Sequence, residues 1–174
     1  MEQKSMRKFR WFWPWQDEAQ EAWLREMSQQ GWHLTAVGIP INYDFESGEP
    51  EDFVYRLDYQ YHSKMDKEDY LQLFSDANWE HIGEMSGWQY FRKKARAGED
   101  LEIYTDAESK IGKYQRLLVF LGILMLPLFF SIINLSDPPY DWMSTLQVLI
   151  ILLFVLYVYM IIKILLRINQ LKRL

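Results

Sequence analysis

Two long uncharged segments near the C-terminus constrain this chain more than any other feature of its sequence. Residues 117–135 form a run of 19 residues without a charged side chain, and residues 142–162 form a second run of 21. A helix rises about 1.5 Å per residue, so roughly 20 apolar residues cross the hydrocarbon of a bilayer. The two runs therefore predict two transmembrane helices. Two buried core helices are the weaker alternative, because segments of this length follow each other directly.

Few polar side chains interrupt these segments. Pro127 lies inside the first one, where a bilayer tolerates it as a kink. Ser131, Asn134 and Gln147 are available for hydrogen bonds between helices or for simple packing. Neither segment contains Asp, Glu, Lys, Arg or His, the side chains that mark ion and proton paths. We therefore expect neither a transporter nor a channel.

The positive charges at the ends of the two segments predict their orientation. Residues 136–141, with two prolines and two aspartates, form a short external turn that contains no Lys or Arg. The Lys and Arg residues of this part of the chain lie at the opposite ends of the two segments. They are Lys110, Lys113, Arg116, Lys163, Arg167, Lys172 and Arg173. The positive-inside rule then places both termini in the cytoplasm, which predicts a cell-membrane protein with two spans.

A change in charge divides the chain into an acidic domain and a basic, apolar remainder. Residues 1–109 contain 12 Lys or Arg and 22 Asp or Glu, a net charge of −10, whereas residues 110–174 contain 7 and 2, a net of +5. We predict a cytosolic domain over 1–104 and a helical stalk over 105–116 that begins at the capping-box pair Thr105 and Glu108. A basic cytosolic tail over 163–174 follows the second span. The stalk is suited to contact anionic headgroups of the lipid bilayer, although its charges also suffice to set topology alone.

An internal repeat predicts the fold of the acidic domain. Residues 21–32 align with residues 68–79 at an offset of 47, with identical Glu, Leu, Ser and Trp. A repeat of this length indicates one supersecondary unit used twice. The two units, about 6–46 and 53–94, each read as strand, helix, strand, strand. We predict an α+β fold, a two-layer sandwich of ferredoxin-like character with both helices on one face. The pattern leaves the strand order open.

Local signals place the elements inside each unit. Residues 9–13 alternate as a strand that Pro14 ends, and residues 54–61 form its counterpart in the second unit. Asp17 and Asp66 are the predicted helix N-caps. Gly31 and Asn78 are residue types that accept a left-handed backbone just after a helix.

Aromatic side chains supply the candidate binding surface. The predicted first strand carries large rings on both of its faces, so at least one of them is expected to be exposed. The candidate residues are Phe9, Trp11, Phe12 and Trp13. Large rings anchor protein interfaces, but they also fill the core of a small domain. We expect the core role for Trp23, Trp32 and Trp79, because the repeat gives them equivalent structural positions.

The sequence contains no catalytic or metal-binding signature, so we do not expect an enzyme or a cofactor. The absence of cysteine excludes disulfides, thiolate nucleophiles and Cys-ligated metals. His33, His62 and His81 lack the spacing of a metal site. An acidic domain repels phosphates, so no direct nucleic-acid partner is expected. The charged first ten residues precede no leucine-rich run, and hence no cleavable signal peptide is expected.

Three motifs resemble a bacterial family. They are Trp-Leu-x-x-Met-Ser-x-x-Gly-Trp-His-Leu at 23–34, Tyr-x-Leu-Asp-Tyr at 55–59 and Trp-x-Tyr-Phe-Arg-Lys at 88–93, followed by apolar spans. Over about residues 5–105 the chain resembles the domain of unknown function DUF2812. The resemblance implies no activity and no residue roles. Because such proteins are often encoded beside a PadR-like transcriptional regulator, it implies a regulatory partner.

These observations lead to one expected function and two alternatives. The expectation is a membrane-anchored cytosolic interaction or sensor module, which acts in signalling by modulating a protein partner such as a PadR-like transcriptional regulator. The first alternative is a tethered domain that binds a small apolar or aromatic ligand in a groove on its sheet. The second is an enzyme that acts on lipid, for which the sequence offers no catalytic group.

Overall fold

A computed structural model describes residues 4–60, 64–104, 106–134 and 141–173. The chain divides into two compact units, Met1–Thr105 and Asp106–Leu174. The predicted external turn at 136–141 falls largely outside the described residues, as do Thr105, His62 and the last residue of the strand expected at 54–61.

The first unit consists of two small antiparallel sheets and two helices. In chain order its elements are β1 (Ser5–Phe9), α1 (Asp17–Gln29), β2 (Trp32–Gly38), β3 (Asn42–Ser47), β4 (Phe53–Tyr59), α2 (Lys64–Asp76), β5 (Glu80–Met85) and β6 (Trp88–Lys94). The strand orders are β1-β3-β2 and β4-β6-β5, so each repeat builds its own three-stranded sheet with the same topology. The predicted α+β class and the duplicated βαββ unit are confirmed.

The two sheets also share their register. In the first hairpin the pairing shifts between Leu34 and Ala36, and in the second it shifts between His81 and Gly83. The two shifts are 47 residues apart in the chain, which is the offset of the sequence repeat. A bulge of this kind bends and twists a strand locally, so the duplication extends to the curvature of each sheet.

The residues predicted to leave the helices in a left-handed conformation do so. Gly31 has φ 81° and Asn78 has φ 62°, and the next residue begins β2 or lies just before β5. A left-handed residue turns the chain sharply out of a helix, and Gly and Asn are the residue types that adopt it at least cost.

The second sheet is covered on both faces, which differs from the expectation of both helices on one face. Tyr55 and Tyr90 pack with the apolar side of α1 and with the inner face of the first sheet. Val54 and Phe91, which neighbour them along β4 and β6, pack instead with α2. Successive residues of a strand point to opposite faces. The two helices therefore lie on opposite faces of the second sheet.

Helix α1 also covers the outer edge of β4. The carboxylate of Glu21 accepts a hydrogen bond from the backbone N–H of Leu57 at 2.8 Å, and the hydroxyl of Ser28 accepts one from the N–H of Phe53 at 3.3 Å. Glu21 also pairs with Arg56 at 3.4 Å. An uncovered sheet edge presents unpaired backbone groups, and α1 satisfies two of those of β4, at Phe53 and Leu57.

Three local predictions are wrong at the level of single residues. The first strand is Ser5–Phe9 and not 9–13, because β3 ends its pairing at Asn42, opposite Phe9. Asp17 is the first residue of α1, whose N-cap is Gln16. Asp66 is the third residue of α2, where a carboxylate still favours the positive end of the helix dipole.

The second unit consists of two long helices, α3 (Ala107–Asn134) and α4 (Asp141–Leu171). Asp106 caps α3, because its carboxylate accepts a hydrogen bond from the N–H of Ser109 at 2.6 Å. The cap had been predicted one residue earlier. The stalk and the first apolar segment lie in one continuous helix. Ser131 and Asn134 donate to carbonyls of their own helix, at 2.7 and 2.8 Å.

Both helices are long and apolar enough to cross a membrane. Only 11% and 6% of their most apolar 18-residue stretches are buried. The core helix of a soluble protein is mostly buried, and these two stretches are not.

Candidate functional site

The chain between β1 and α1 forms a short aromatic segment with a rigid turn. Backbone pairing ends at Phe9, and residues 10–16 then lead into the helix without regular structure. The N–H of Trp13 donates to the side-chain oxygen of Gln16 at 2.9 Å, and the N–H of Gln16 donates to the carbonyl of Trp13 at 2.8 Å. These reciprocal bonds close the turn and fix the start of α1.

Phe12 attaches this segment to the core. Its ring lies 5.6 Å from the ring of the buried Trp23, and the guanidinium of Arg10 lies over both rings at 5.1 and 4.9 Å. Each cation–π contact of this kind contributes about 0.5–1 kcal/mol at an exposed site. The segment is therefore held on the folded unit by aromatic packing.

Three tryptophans next to Phe12 in the chain contact one another. Trp11 meets Trp13 edge-on at 5.5 Å, and Trp13 stacks on Trp15 at 5.3 Å with nearly parallel rings. Trp11 is 54% exposed and Phe9 is 65% exposed. We call Phe9, Trp11, Trp13 and Trp15 the aromatic surface. Large exposed rings held in a fixed arrangement are typical of the anchors of protein interfaces.

The structure separates the four candidate residues that the sequence suggested. Phe9 and Trp11 are exposed, Trp13 is half-buried in the tryptophan stack, and Phe12 packs against the core. The expected alternation between two faces fails because residues 10–13 are not part of a strand. Trp15 was missed as a candidate, although its spacing in Trp-Phe-Trp-Pro-Trp was a usable signal.

An exposed isoleucine lies at the same end of the first sheet. Gly38 and Phe9 both face Asn42, and Ile39 follows Gly38 in the turn between β2 and β3. Ile39 is 81% exposed. No pattern marked it in advance, because an apolar residue in a turn has no periodicity that indicates its exposure.

The most specific motif, Gly-Trp-His-Leu, has a structural role. A Cβ on Gly31 would lie 2.7 Å from the carbonyl oxygen of Gly48, whose N–H in turn donates to the Gly31 carbonyl at 2.8 Å. The Nε2 of His33 is 2.9 Å from the carbonyl oxygen of Glu49, and Leu34 is fully buried. These residues hold the loop that leads from the first sheet to the second.

Buried polar groups join the two sheets inside the core. The side-chain amide of Gln20 donates to the hydroxyls of Tyr43 and Tyr90, both at 2.8 Å. Burial raises the pKa of Tyr43 to about 12 and the pKa of Tyr90 well above its ordinary value. Both hydroxyls therefore stay neutral at physiological pH, which suits a structural role.

A second polar chain lies on the α2 side. Lys67 donates to Glu84 at 2.6 Å, Gln89 donates to Glu84 at 3.0 Å, and His81 is 2.9 Å from Gln89. Burial lowers the pKa of His81, and the hydrogen bond from Lys67 lowers the pKa of Glu84. Within the described ranges, no group of three or more His, Asp or Glu side chains has the arrangement of a metal site.

The membrane-flanking cations differ in exposure. Arg116, Lys172 and Arg173 are exposed, and Lys163 is half-buried with its ammonium 5.5 Å from the ring of Tyr159. Lys113 is buried, with its ammonium 5.1 Å from the ring of Tyr114. Lys110 and Arg167 are partly buried. Arg116 is therefore the most exposed of the three cations of the predicted stalk.

Fold and surface together define a class of protein: a duplicated α+β domain with exposed aromatic rings, followed by two helices of membrane-spanning length. The chain belongs to the family described as Protein of unknown function (DUF2812), which matches residues 16–126. The match covers both helices of the duplicated domain and extends into α3, and the aromatic surface lies just before it. No curated protein and no solved structure matches the chain.

Proposed function

We propose that this protein is a membrane-anchored interaction module whose N-terminal unit binds a cytosolic protein through the aromatic surface. The observation that carries the proposal is the tryptophan stack, in which Trp11 is exposed while Phe12 fixes the same segment to Trp23. A pre-ordered aromatic anchor binds with little loss of side-chain entropy.

The position of the rings supports a protein partner. Interfaces take most of their binding energy from a few Trp, Tyr and Arg side chains surrounded by near-neutral contacts. Here Phe9, Trp11 and Ile39 are exposed at one end of the first sheet, in a unit whose surface is otherwise rich in charge. A partner that buries Trp11 gains apolar burial that the isolated chain lacks.

The charge pattern supports a cytoplasmic location. Seven Lys or Arg lie before the first apolar segment and after the second, and the connection between the two segments contains none. The positive-inside rule then puts the N-terminal unit on the same side as cytosolic proteins. We place a transcriptional regulator of the PadR-like kind among the partners that such a module holds at the membrane.

A matched pair of variants tests this proposal. The full-length protein, tagged and extracted in mild detergent, is used for affinity capture with mass spectrometry, in parallel with Trp11→Ala and Leu73→Ala. Leu73 is a suitable control, because it is 69% exposed and apolar but lies on α2. We expect a cytosolic protein that is captured by the parent chain and by Leu73→Ala and is depleted at least about tenfold by Trp11→Ala, a loss of about 1.4 kcal/mol.

A partner captured equally by all three chains would contradict the role of the aromatic surface. Capture of no cytosolic protein, in cells grown under several conditions, would contradict the interaction role itself. The thermal midpoint of the unit should be unchanged in Trp11→Ala, because exposed side chains contribute little to stability.

A ligand-binding role is the second candidate. A shallow depression of about 380 Å³ lies on the open face of the first sheet, lined by Ser5, Met6, Arg7, Thr35, Asp44, Phe45 and Glu46. Sites for apolar ligands are mostly apolar and concave, whereas this lining is largely polar and contains the Arg7–Asp44 ion pair. A flat tryptophan fluorescence signal across a broad panel of aromatic compounds would remove this candidate.

A further inference from the structure

The repeat identifies residues at equivalent positions in the two halves of the N-terminal unit. Glu21 and Ser28 of α1 correspond to Glu68 and Ser75 of α2, at the offset of 47. Strand β4 corresponds to β1, because each is the first strand of its unit and each pairs with the last. We compare the contacts of the two helices on this basis.

The contact between α1 and β4 is complete within one chain. Glu21 and Ser28 lie seven residues apart, on one side of the helix, and accept the outward N–H groups of Leu57 and Phe53. Both of these polar side chains are buried in the process. This contact is made by the helix of the first repeat on the strand of the second.

The reciprocal contact is missing from the part of the chain that the structure describes. Among the residues that the structure describes, α2 packs on β5 and makes no contact with β1, which pairs with β3. Glu68 and Ser75 are exposed, in contrast to their buried equivalents. One stripe of α2 is thus built like the stripe of α1 that binds a strand edge, yet it faces solvent.

Strand β1 offers the matching edge. Arg7 pairs with Asp44, which on its other side pairs with Ala36, the residue after the bulge of β2. In the second sheet Leu57 pairs with Tyr90, which on its other side pairs with Gly83, the residue after the bulge of β5. Arg7 is therefore the equivalent of Leu57, and its backbone N–H points to the outer edge in the same way. In the described part of the chain this N–H has no hydrogen-bond acceptor.

The charges of the two surfaces are complementary. The segment around β1 is basic, with Lys4, Arg7, Lys8 and Arg10. The exposed side of α2 is acidic, with Glu68, Asp69 and Asp76. A second copy of the chain provides both surfaces at once, and two reciprocal contacts of this kind close a two-fold dimer.

We propose that two copies of this protein form a symmetric dimer in which the Glu68–Ser75 stripe of α2 lies along the β1 edge of the partner copy. At Glu68 the contact reproduces between chains the bond that Glu21 and Leu57 make within one chain. It satisfies the exposed edge of β1, which otherwise is open to pairing with any extended segment.

Cross-linking through single cysteines tests the geometry, because the natural chain has no cysteine. Full-length Ser5→Cys and full-length Ser75→Cys, with different tags, are mixed in detergent micelles and treated with a short bismaleimide. Every cross-link is then intermolecular. We expect a mixed Ser5→Cys and Ser75→Cys product, and a strong reduction when Leu73→Cys replaces Ser75→Cys, since Leu73 lies on another side of α2.

Two outcomes of this experiment would overturn the proposal. One is a dominant product between two Ser5→Cys chains, which would indicate that β1 pairs with β1 of another copy. The other is equal cross-linking of Ser5→Cys to Ser75→Cys and to Leu73→Cys, which would indicate random collisions.

A charge reversal tests the energetics. The mass of the protein in detergent, measured by light scattering over a dilution series, should correspond to a dimer of the parent chain. Glu68→Arg should weaken association at least about tenfold, equivalent to about 1.4 kcal/mol. Glu26→Arg is the control, because Glu26 is an exposed glutamate on α1 and undergoes the same change of charge.

A parent chain that stays monomeric at every concentration tested would overturn the proposal. So would a dimer that Glu68→Arg leaves intact, because its contact would then lie elsewhere, for example between the apolar helices. Cross-linking in the parent background remains decisive where Glu68→Arg fails to fold. The partner capture described above reports on Trp11, so the two proposals fail independently.

Discussion

The two repeats of the N-terminal unit share their backbone and differ in what covers them. Both form a three-stranded sheet with the same strand order and the same bulge position. Among the described residues the first sheet packs on one face, whereas the second is buried on both, between the core around α1 and the core around α2. A duplicated sequence can thus retain one topology while the burial of equivalent residues diverges.

The helices differ in the same manner. Trp23, Leu24 and Met27 of α1 are buried, because this helix contacts both sheets. Their counterparts on α2 are only partly buried, and Leu73 is exposed. Equivalent substitutions in the two halves should therefore have unequal effects, and three experiments can break or sharpen this comparison.

The largest effect is expected from the paired substitutions Leu24→Ala and Leu71→Ala. Leu24 is fully buried, so its truncation should lower the free energy of unfolding by about 3–5 kcal/mol, through lost burial and a cavity. Leu71→Ala, at the equivalent position, should lower the free energy of unfolding by only about 1 kcal/mol. Urea unfolding in detergent, followed by tryptophan fluorescence, measures both values. Similar losses for the two variants would show that the helices are equally buried.

An intermediate effect is expected at the helix ends. Gly31→Ala should cost about 2–3 kcal/mol, since the added Cβ meets a backbone oxygen and the left-handed conformation itself disfavours alanine. Asn78→Ala should cost about 1 kcal/mol, for the left-handed conformation alone. Thermal unfolding monitored by circular dichroism compares the variants. A loss at Asn78 as large as the loss at Gly31 would argue against a special role for the close approach to Gly48.

The smallest effect concerns acid sensitivity. Burial lowers the pKa of His81 below 6.5, while Leu34 occupies the equivalent place in the first repeat. The unfolded chain then binds the proton more readily, so the folded unit should lose stability as the pH falls below about 6.5. His81→Leu should flatten this dependence between about pH 7 and pH 5, a window above the ordinary pKa of carboxylates. An unchanged slope in urea titrations across this window would contradict the assignment to His81.

Much of the fold could be read from the sequence by local rules. The repeat predicted the βαββ unit, and the positions of Gly31 and Asn78 predicted how each helix ends. Periodicity is local, so it identifies helices and strands without knowledge of their neighbours. The two apolar helices were predicted in the same way, from length and the absence of charge.

The candidate site could be read only in part. Phe9 and Trp11 were named from their size and position, but the assignment of residues 9–13 to a strand misplaced Phe12, which packs on Trp23. Whether a large ring is exposed depends on where its segment loses its pairing partner. That partner, Asn42, is more than thirty residues away in the chain.

The sequence by itself determined the duplicated unit, its turns and the two apolar helices, because each depends on residues near one another in the chain. The tertiary structure alone decided that α1 covers the edge of β4, that Asp58 is buried beneath the hydroxyls of Tyr70 and Tyr104, and that α2 leaves Glu68 exposed. The alternation of apolar and polar residues in β4 predicts that Asp58 faces solvent. Its burial depends on a second layer that packs on that face, and no alternation within one strand reveals whether such a layer exists.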